Sequence, residues 1–131
     1  MIALPNFHDG FFDGLWTSEN KIVHLFLRTS NRERSTIVLS DVERLNITNF
    51  MAGNIILDVV VVTSDKLTIA DIEQLYQIQP TQEELTQQLL KAQERGLLTL
   101  EISPSYGAEC AVLFREAEIL PNHVLPSSHS Q

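Results

Sequence analysis

Hydrophobic and polar positions alternate along most of this chain, in short runs separated by turn residues. Period-two alternation sends successive side chains to opposite faces of a strand. After an irregular start and an Asp9-Gly10 turn signal, residues 11–17 read as a first strand carrying Phe11, Phe12 and Trp16. Ser18-Glu19-Asn20-Lys21 reads as a polar turn. In the strand expected at 22–29, Val23, Leu25 and Leu27 share one face, and Ile22, His24, Phe26 and Arg28 share the other. Both faces are largely apolar, so this strand is expected to be central or covered on both sides. A polar turn at 30–33 leads to its hairpin partner at 34–40, built on β-branched Thr36, Ile37 and Val38. Val42, Leu45 and Ile47 suggest a short strand at 42–47. Gly53-Asn54 marks a turn. The run 55–62, with four valines and two isoleucines, is expected in the middle of a sheet.

The period then becomes helical. Thr68-Ile69-Ala70-Asp71 has the form of an N-cap, and Ile69, Ile72, Leu75 and Tyr76 recur at helical spacing until Pro80 stops the segment. Thr81-Gln82-Glu83-Glu84 is a capping box, so a helix is expected over 82–95 with Leu85, Leu89 and Ala92 on its apolar stripe. Glu83 and Glu84 suit the positive end of its dipole, Lys91 and Arg95 the negative end, and Gly96 its termination. Strands return at 97–102 and 108–115, with Pro104-Ser105-Tyr106-Gly107 as the hairpin turn between them. Ala108, Cys110, Val112 and Phe114 should face one way. Residues 116–120 extend the sheet.

This order lacks the strict β-α-β alternation of a doubly wound parallel fold. The expected class is α+β: a mainly antiparallel sheet, meander or sandwich-like, with one helical insertion near 69–95. A single domain is expected over 1–120, with a flexible tail over 121–131.

Charge narrows the partners. The 131 residues carry 17 acids and 9 bases, a formal charge of −8. Ten acids and four bases fall in residues 65–131. Such a chain is repelled by phosphate backbones and anionic lipid, so no nucleic acid and no membrane are expected as partners. Cys110 is the one cysteine, which precludes an intrachain disulfide and suits a reducing compartment. The first ten residues lack the basic start and apolar core of a signal peptide, and the longest apolar run, 55–62, is far below the roughly 20 residues of a membrane helix. A cytoplasmic protein is expected.

Three stretches together resemble a known kind of protein. They are His8-Asp9 ahead of a strand, the stretch from Val42 through Phe50 to Gly53-Asn54-Ile55-Ile56-Leu57-Asp58, and Ser105-Tyr106-Gly107-Ala108-Glu109. Spanning most of residues 5–115, they are similar to small uncharacterised bacterial β-rich domains and, more distantly, to predicted immunity proteins of polymorphic toxin systems. The resemblance implies a protein that binds and blocks a partner. It implies no active site.

Chemistry-bearing residues are few. His8-Asp9 invites comparison with His-Asp metallophosphohydrolases, but those pairs sit on helices and this one precedes a glycine turn. His8, Asp9, Asp13 and His24 would make a mixed nitrogen–oxygen metal site only at nonspecific spacing. Cys110, mid-strand among apolar neighbours, reads as a small buried hydrophobe rather than a nucleophile. Arg28, Arg32, Arg34 and Arg44 form one basic cluster near the first hairpin, interleaved with Glu33, Asp41 and Glu43. The helical stretch 69–95 is too acidic for a DNA-reading helix. No phosphate-loop, dinucleotide or nucleophile-elbow motif occurs.

The resulting expectation is a non-enzymatic protein-interaction domain without cofactor or bound metal, acting on a protein partner or on a second copy. Glu83, Glu84 and Glu94 are its candidate partner-binding residues. The alternative is a small-ligand site drawing on His8, Asp9, Trp16, His24, Arg28 and Tyr106. A metal-dependent hydrolase around His8, Asp9 and His24 is the third reading.

Overall fold

The computed structural model describes residues 3–126. Its strands are β1 (Phe11–Thr17), β2 (Val23–Arg28), β3 (Arg34–Ser40), β4 (Arg44–Thr48), β5 (Ile55–Val62), β6 (Leu98–Tyr106), β7 (Glu109–Phe114) and β8 (Glu116–Pro121). A 3-10 turn (Ser64–Lys66), α1 (Ile69–Glu73) and α2 (Gln82–Glu94) fill the link from β5 to β6. The strands form one eight-stranded antiparallel sheet in the order β4-β7-β6-β5-β1-β2-β3-β8. The fold is thus β-rich, with a small helical share.

The order is not a simple meander, because β4 leaves β3 to pair with β7, and β8 returns to pair with β3. Strands β2 and β7 stand four places apart, which in a flat sheet would be about 19 Å. Yet Leu25 and Leu27 of β2 share one core with Val112 and Phe114 of β7, all at 1% exposure or less. The sheet therefore folds over on itself as two layers, β1-β2-β3-β8 against β5-β6-β7-β4. The joint between them is narrow: β1 and β5 meet at a single Cα pair, Phe11 with Ile55.

Alternation explains both cores. On β7, Cys110, Val112 and Phe114 point between the layers, while Ala111 and Leu113 point outward into a second cluster with Ile72, Leu75, Leu85 and Ala92 of the helical segment. That is why this strand is apolar on both faces. Both helices start on a capping box, Thr68 with Asp71 and Thr81 with Glu84. Helix α1 ends earlier than its periodicity predicts. The carbonyls just past its end are taken by β4: Arg44 Nε donates to Leu75 O at 3.0 Å and Asn46 Nδ2 to Gln74 O at 2.9 Å. The Arg44 guanidinium also lies 3.8 Å from the Tyr76 ring centre.

Three expectations need correction. Strand β6 runs through Pro104 and Ser105 to Tyr106, and the turn is confined to Gly107 and Ala108. Proline is tolerated there because a shift of register sits at this point of the pairing with β5. Strand β5 is central in the order, but beyond Ile55 it has no Cα pair with β1, so most of its length is an edge. Residues 122–124 are bonded to the outer face of β2 and β3. Thr36 Oγ1 donates to Asn122 O at 2.7 Å and accepts from Val124 N at 2.8 Å, and His24 Nδ1 meets Val124 O at 2.7 Å. The part of the expected flexible tail at 127–131 lies outside the described residues.

Candidate functional site

The proposed ligand residues do not converge. His8 and Asp9 lie beside β5. His8 Nδ1 meets Leu57 O at 2.7 Å, and the two side chains, 3.5 Å apart, are well exposed. Among the described residues, no three His, Cys, Asp or Glu side chains gather as metal ligands would. Trp16 and His24 do come together, edge to face at 5.4 Å, on the outer face of the other layer. Arg28 is held by Asp13 through two bonds of 2.6 and 2.9 Å. The irregular pairing after Phe12 aims Asp13 at it. Hydrogen bonding to Asp13 holds the Arg28 guanidinium protonated above its ordinary range. Arg44 belongs to the helix contact described above, so the expected four-arginine cluster is reduced to the tip of the first hairpin.

The acidic candidates divide. Glu83 and Glu94 are exposed on α2. Glu84 is engaged in its capping box, accepting from Thr81 N at 3.0 Å and from the Thr81 hydroxyl at 2.9 Å, and these bonds hold its carboxyl below the usual range. Glu43 clasps Arg95 and Lys21, and its pKa is lowered chiefly by the Arg95 bond.

Burial pushes the Cys110 thiol up to about 12, so it carries no thiolate at neutral pH. Glu101, on the outer face of β6, is lifted to about 7, first by burial and then by its bond with Asp71; Thr99 and Gln74 pull the other way. These partners supply no cation.

The Glu101 shift has a definite sign in stability. Its ordinary value is 4.5, so between 4.5 and about 7 the folded chain binds the proton more tightly than the unfolded chain. The stabilisation is complete below 4.5 and lost as pH rises through 7. Because the side chain is partly exposed, solvent reduces the effect to about 1–2 kcal/mol. Glu43 and Glu84 act in the opposite direction, so the readout is the difference between proteins. In urea titrations, Glu101→Gln should gain about 1–2 kcal/mol on the wild type between pH 5 and pH 8. Parallel pH profiles would refute the assignment.

The feature that sequence reasoning missed is a row of side chains across five strands. Directly opposed residues of an antiparallel ladder share a face. Arg34 opposes Arg28, Arg28 opposes Phe11, Phe11 opposes Ile55, and Ile55 opposes Tyr106. The Arg28 and Arg32 guanidinium carbons stand 4.4 and 5.7 Å from the Phe11 ring centre. Ile55 is 37% and Tyr106 54% exposed, and Phe50, Met51 and Leu57 beside them are exposed as well. Among the described residues, Arg32 and Arg34 have no carboxylate within ion-pair distance. The signal lay in the register, which joins residues from four separate stretches of sequence.

The edge of this strip is held by Asn54, only 4% exposed. Its Oδ1 accepts from Met51 N and Ala108 N, each at 2.9 Å. Its Nδ2 donates to Met51 O at 3.0 Å and Phe12 O at 3.2 Å. Gly107, at φ +89°, leaves room for this amide, since a Cβ there would lie 2.4 Å from Asn54 Oδ1. Phe50 packs edge-on against Phe12 at 5.5 Å. Two of the stretches that carry the resemblance, around Gly53-Asn54 and Tyr106-Gly107-Ala108, are thus one structural knot.

No protein-family model matches this chain, and no curated protein or solved structure matches it.

Proposed function

We propose that this domain is a non-enzymatic protein-interaction module, immunity-like or regulatory in role, that docks an acidic partner surface carrying apolar side chains. The observation that carries this reading is the row in which exposed Tyr106 and Ile55 adjoin half-buried Phe11 and end in arginines. Soluble monomers rarely expose contiguous large apolar side chains without a use for them. Aromatic residues and arginine are the types enriched where protein interfaces concentrate their energy. Arg32 and Arg34 carry uncompensated positive charge on a chain of net −8, so the strip attracts acid where the rest of the surface repels it. The docking face therefore moves from the acidic helix α2 to the β1–β5–β6 end of the sheet.

The test is quantitative affinity capture from an extract of the source cells. A double variant Ile55→Ser/Tyr106→Ser, confirmed folded by circular dichroism, should lose the partner by about tenfold or more. A Glu83→Lys/Glu94→Lys variant should retain it. Equal capture by wild type and the strip variant would sink the proposal. Selective loss with the helix variant would return the docking face to α2.

A further inference from the structure

A second site lies on the outer face of the β1-β2-β3-β8 layer. Register places Trp16, His24, Val38 and Glu118 in one row across these strands, because Trp16 opposes His24, His24 opposes Val38 and Val38 opposes Glu118. At about 4.8 Å per strand, the row runs about 14 Å from indole to carboxylate. Residues 124–126 cross beside it and make the far wall, so the face becomes an open groove of about 1000 Å³. Ile22, Val38 and Leu120 give it an apolar floor.

The polar chemistry of the groove has a sign. His24 Nδ1 lies 2.7 Å from Val124 O. A carbonyl oxygen only accepts, so Nδ1 carries the hydrogen and the neutral ring presents a bare lone pair at Nε2. No protein atom among the described residues is bonded to Nε2, and no buried side-chain nitrogen or oxygen lacks a partner, so Nε2 is reached from the groove. Among the described residues, the charged ones lining the groove are Glu19 and Glu118, with no lysine or arginine. The neighbouring Lys21 is turned away to Glu43 at 3.4 Å. An aromatic face, an accepting imidazole nitrogen and two carboxylates around an apolar floor complement one kind of ligand.

We propose that this groove binds an organic ammonium: a cationic amine carried on an apolar aromatic or alkyl body. The body lies on Val38 and Leu120 toward Trp16 and His24, and the ammonium is taken by the Glu118 carboxylate at the β8 end of the row. Ammonium groups are attracted to the face of an indole as well as to carboxylate.

Trp16 is the only tryptophan, so its fluorescence reports on the groove. The probe is phenethylammonium chloride at pH 7.5, with 3-phenylpropionate as an anionic control of the same shape. The cation should change the emission saturably at one site, and the anion should not. Glu118 is exposed on β8, so Glu118→Gln leaves the core untouched and should weaken binding by about fivefold to tenfold. Calorimetry on Trp16→Phe checks the site without the fluorophore and should show weakened, not lost, binding. A blocked lysine peptide is the second arm. Tighter binding of the peptide would assign the ammonium to a protein side chain, and tighter binding of phenethylammonium to a free amine. No saturable response to either cation, equal binding of the anion, or an unchanged affinity in Glu118→Gln would overturn the proposal.

Discussion

Asn54→Ala is expected to lower the unfolding free energy by about 3–5 kcal/mol, read as a fall in the urea midpoint with an unchanged slope. The side chain makes four hydrogen bonds, all to backbone, from three separate segments of the chain. Alanine removes all four at once and leaves buried N–H and C=O groups behind, each of which costs about 1–3 kcal/mol when unpartnered. Part of the loss is recovered where water reaches the loop near Met51, which is why the total is less than the sum. Asn54→Asp separates the two halves of the role. It keeps an acceptor for Met51 N and Ala108 N but turns a carboxylate toward the carbonyls of Phe12 and Met51, so it should also destabilise. A loss below about 1 kcal/mol for Asn54→Ala would show that the knot is ornamental to stability.

Gly10→Ala is expected to cost about 3 kcal/mol through an unrelated mechanism. A Cβ at Gly10 would stand 2.2 Å from Arg28 O, 2.9 Å from Phe7 O and 3.2 Å from Thr29 Cα. Every one of these is a backbone atom, so no rotamer change relieves the contact. The chain must shift instead, and the bonds beside it shift with it: Gly10 N to Phe7 O at 2.8 Å and Ile56 N to Gly10 O at 2.9 Å. The second of these lies at the narrow joint between the layers. Amide exchange should therefore quicken at Ile56 and Phe12 before it quickens in β2 and β3. A variant within about 1 kcal/mol of wild type would show that the crossing of β1 and β2 adjusts freely.

Much of the fold was legible because local period and tertiary burial agree. In β2, Val23, Leu25 and Leu27 are the inward set that alternation indicates. In α2, the Thr81 box and the Leu85/Ala92 stripe are where the pattern puts them. Pairing order was not legible. Nothing local in residues 44–48 says that β4 bonds to β7 rather than to β3, since the choice is made by core burial across the whole sheet. Pro104 signals a break in sequence but lies inside β6, because a shifted ladder next to it absorbs the missing N–H. The candidate surfaces follow the same division. Trp16 and His24 belong to one candidate ligand set in the sequence, but their row with Glu118 depends on a β3–β8 register. The Tyr106–Ile55–Phe11 row likewise depends on two pairings that no spacing in sequence encodes.

Strand β8 gives the domain a clasp that closes late. It pairs with β3 from Ser35 with Pro121 to Ser40 with Glu116, and residues 122–124 then bond back to β2 and β3. Emerging from the ribosome, β1, β2 and β3 can assemble as local hairpins, but β3 keeps an open edge until some eighty residues more have been made. During that interval the unpaired amides of β3 are a template for any extended chain nearby. The groove beside Trp16 does not exist then either, because its far wall is the same late segment. Binding there would therefore report completion of the fold, and a ligand in the groove would hold the clasp shut.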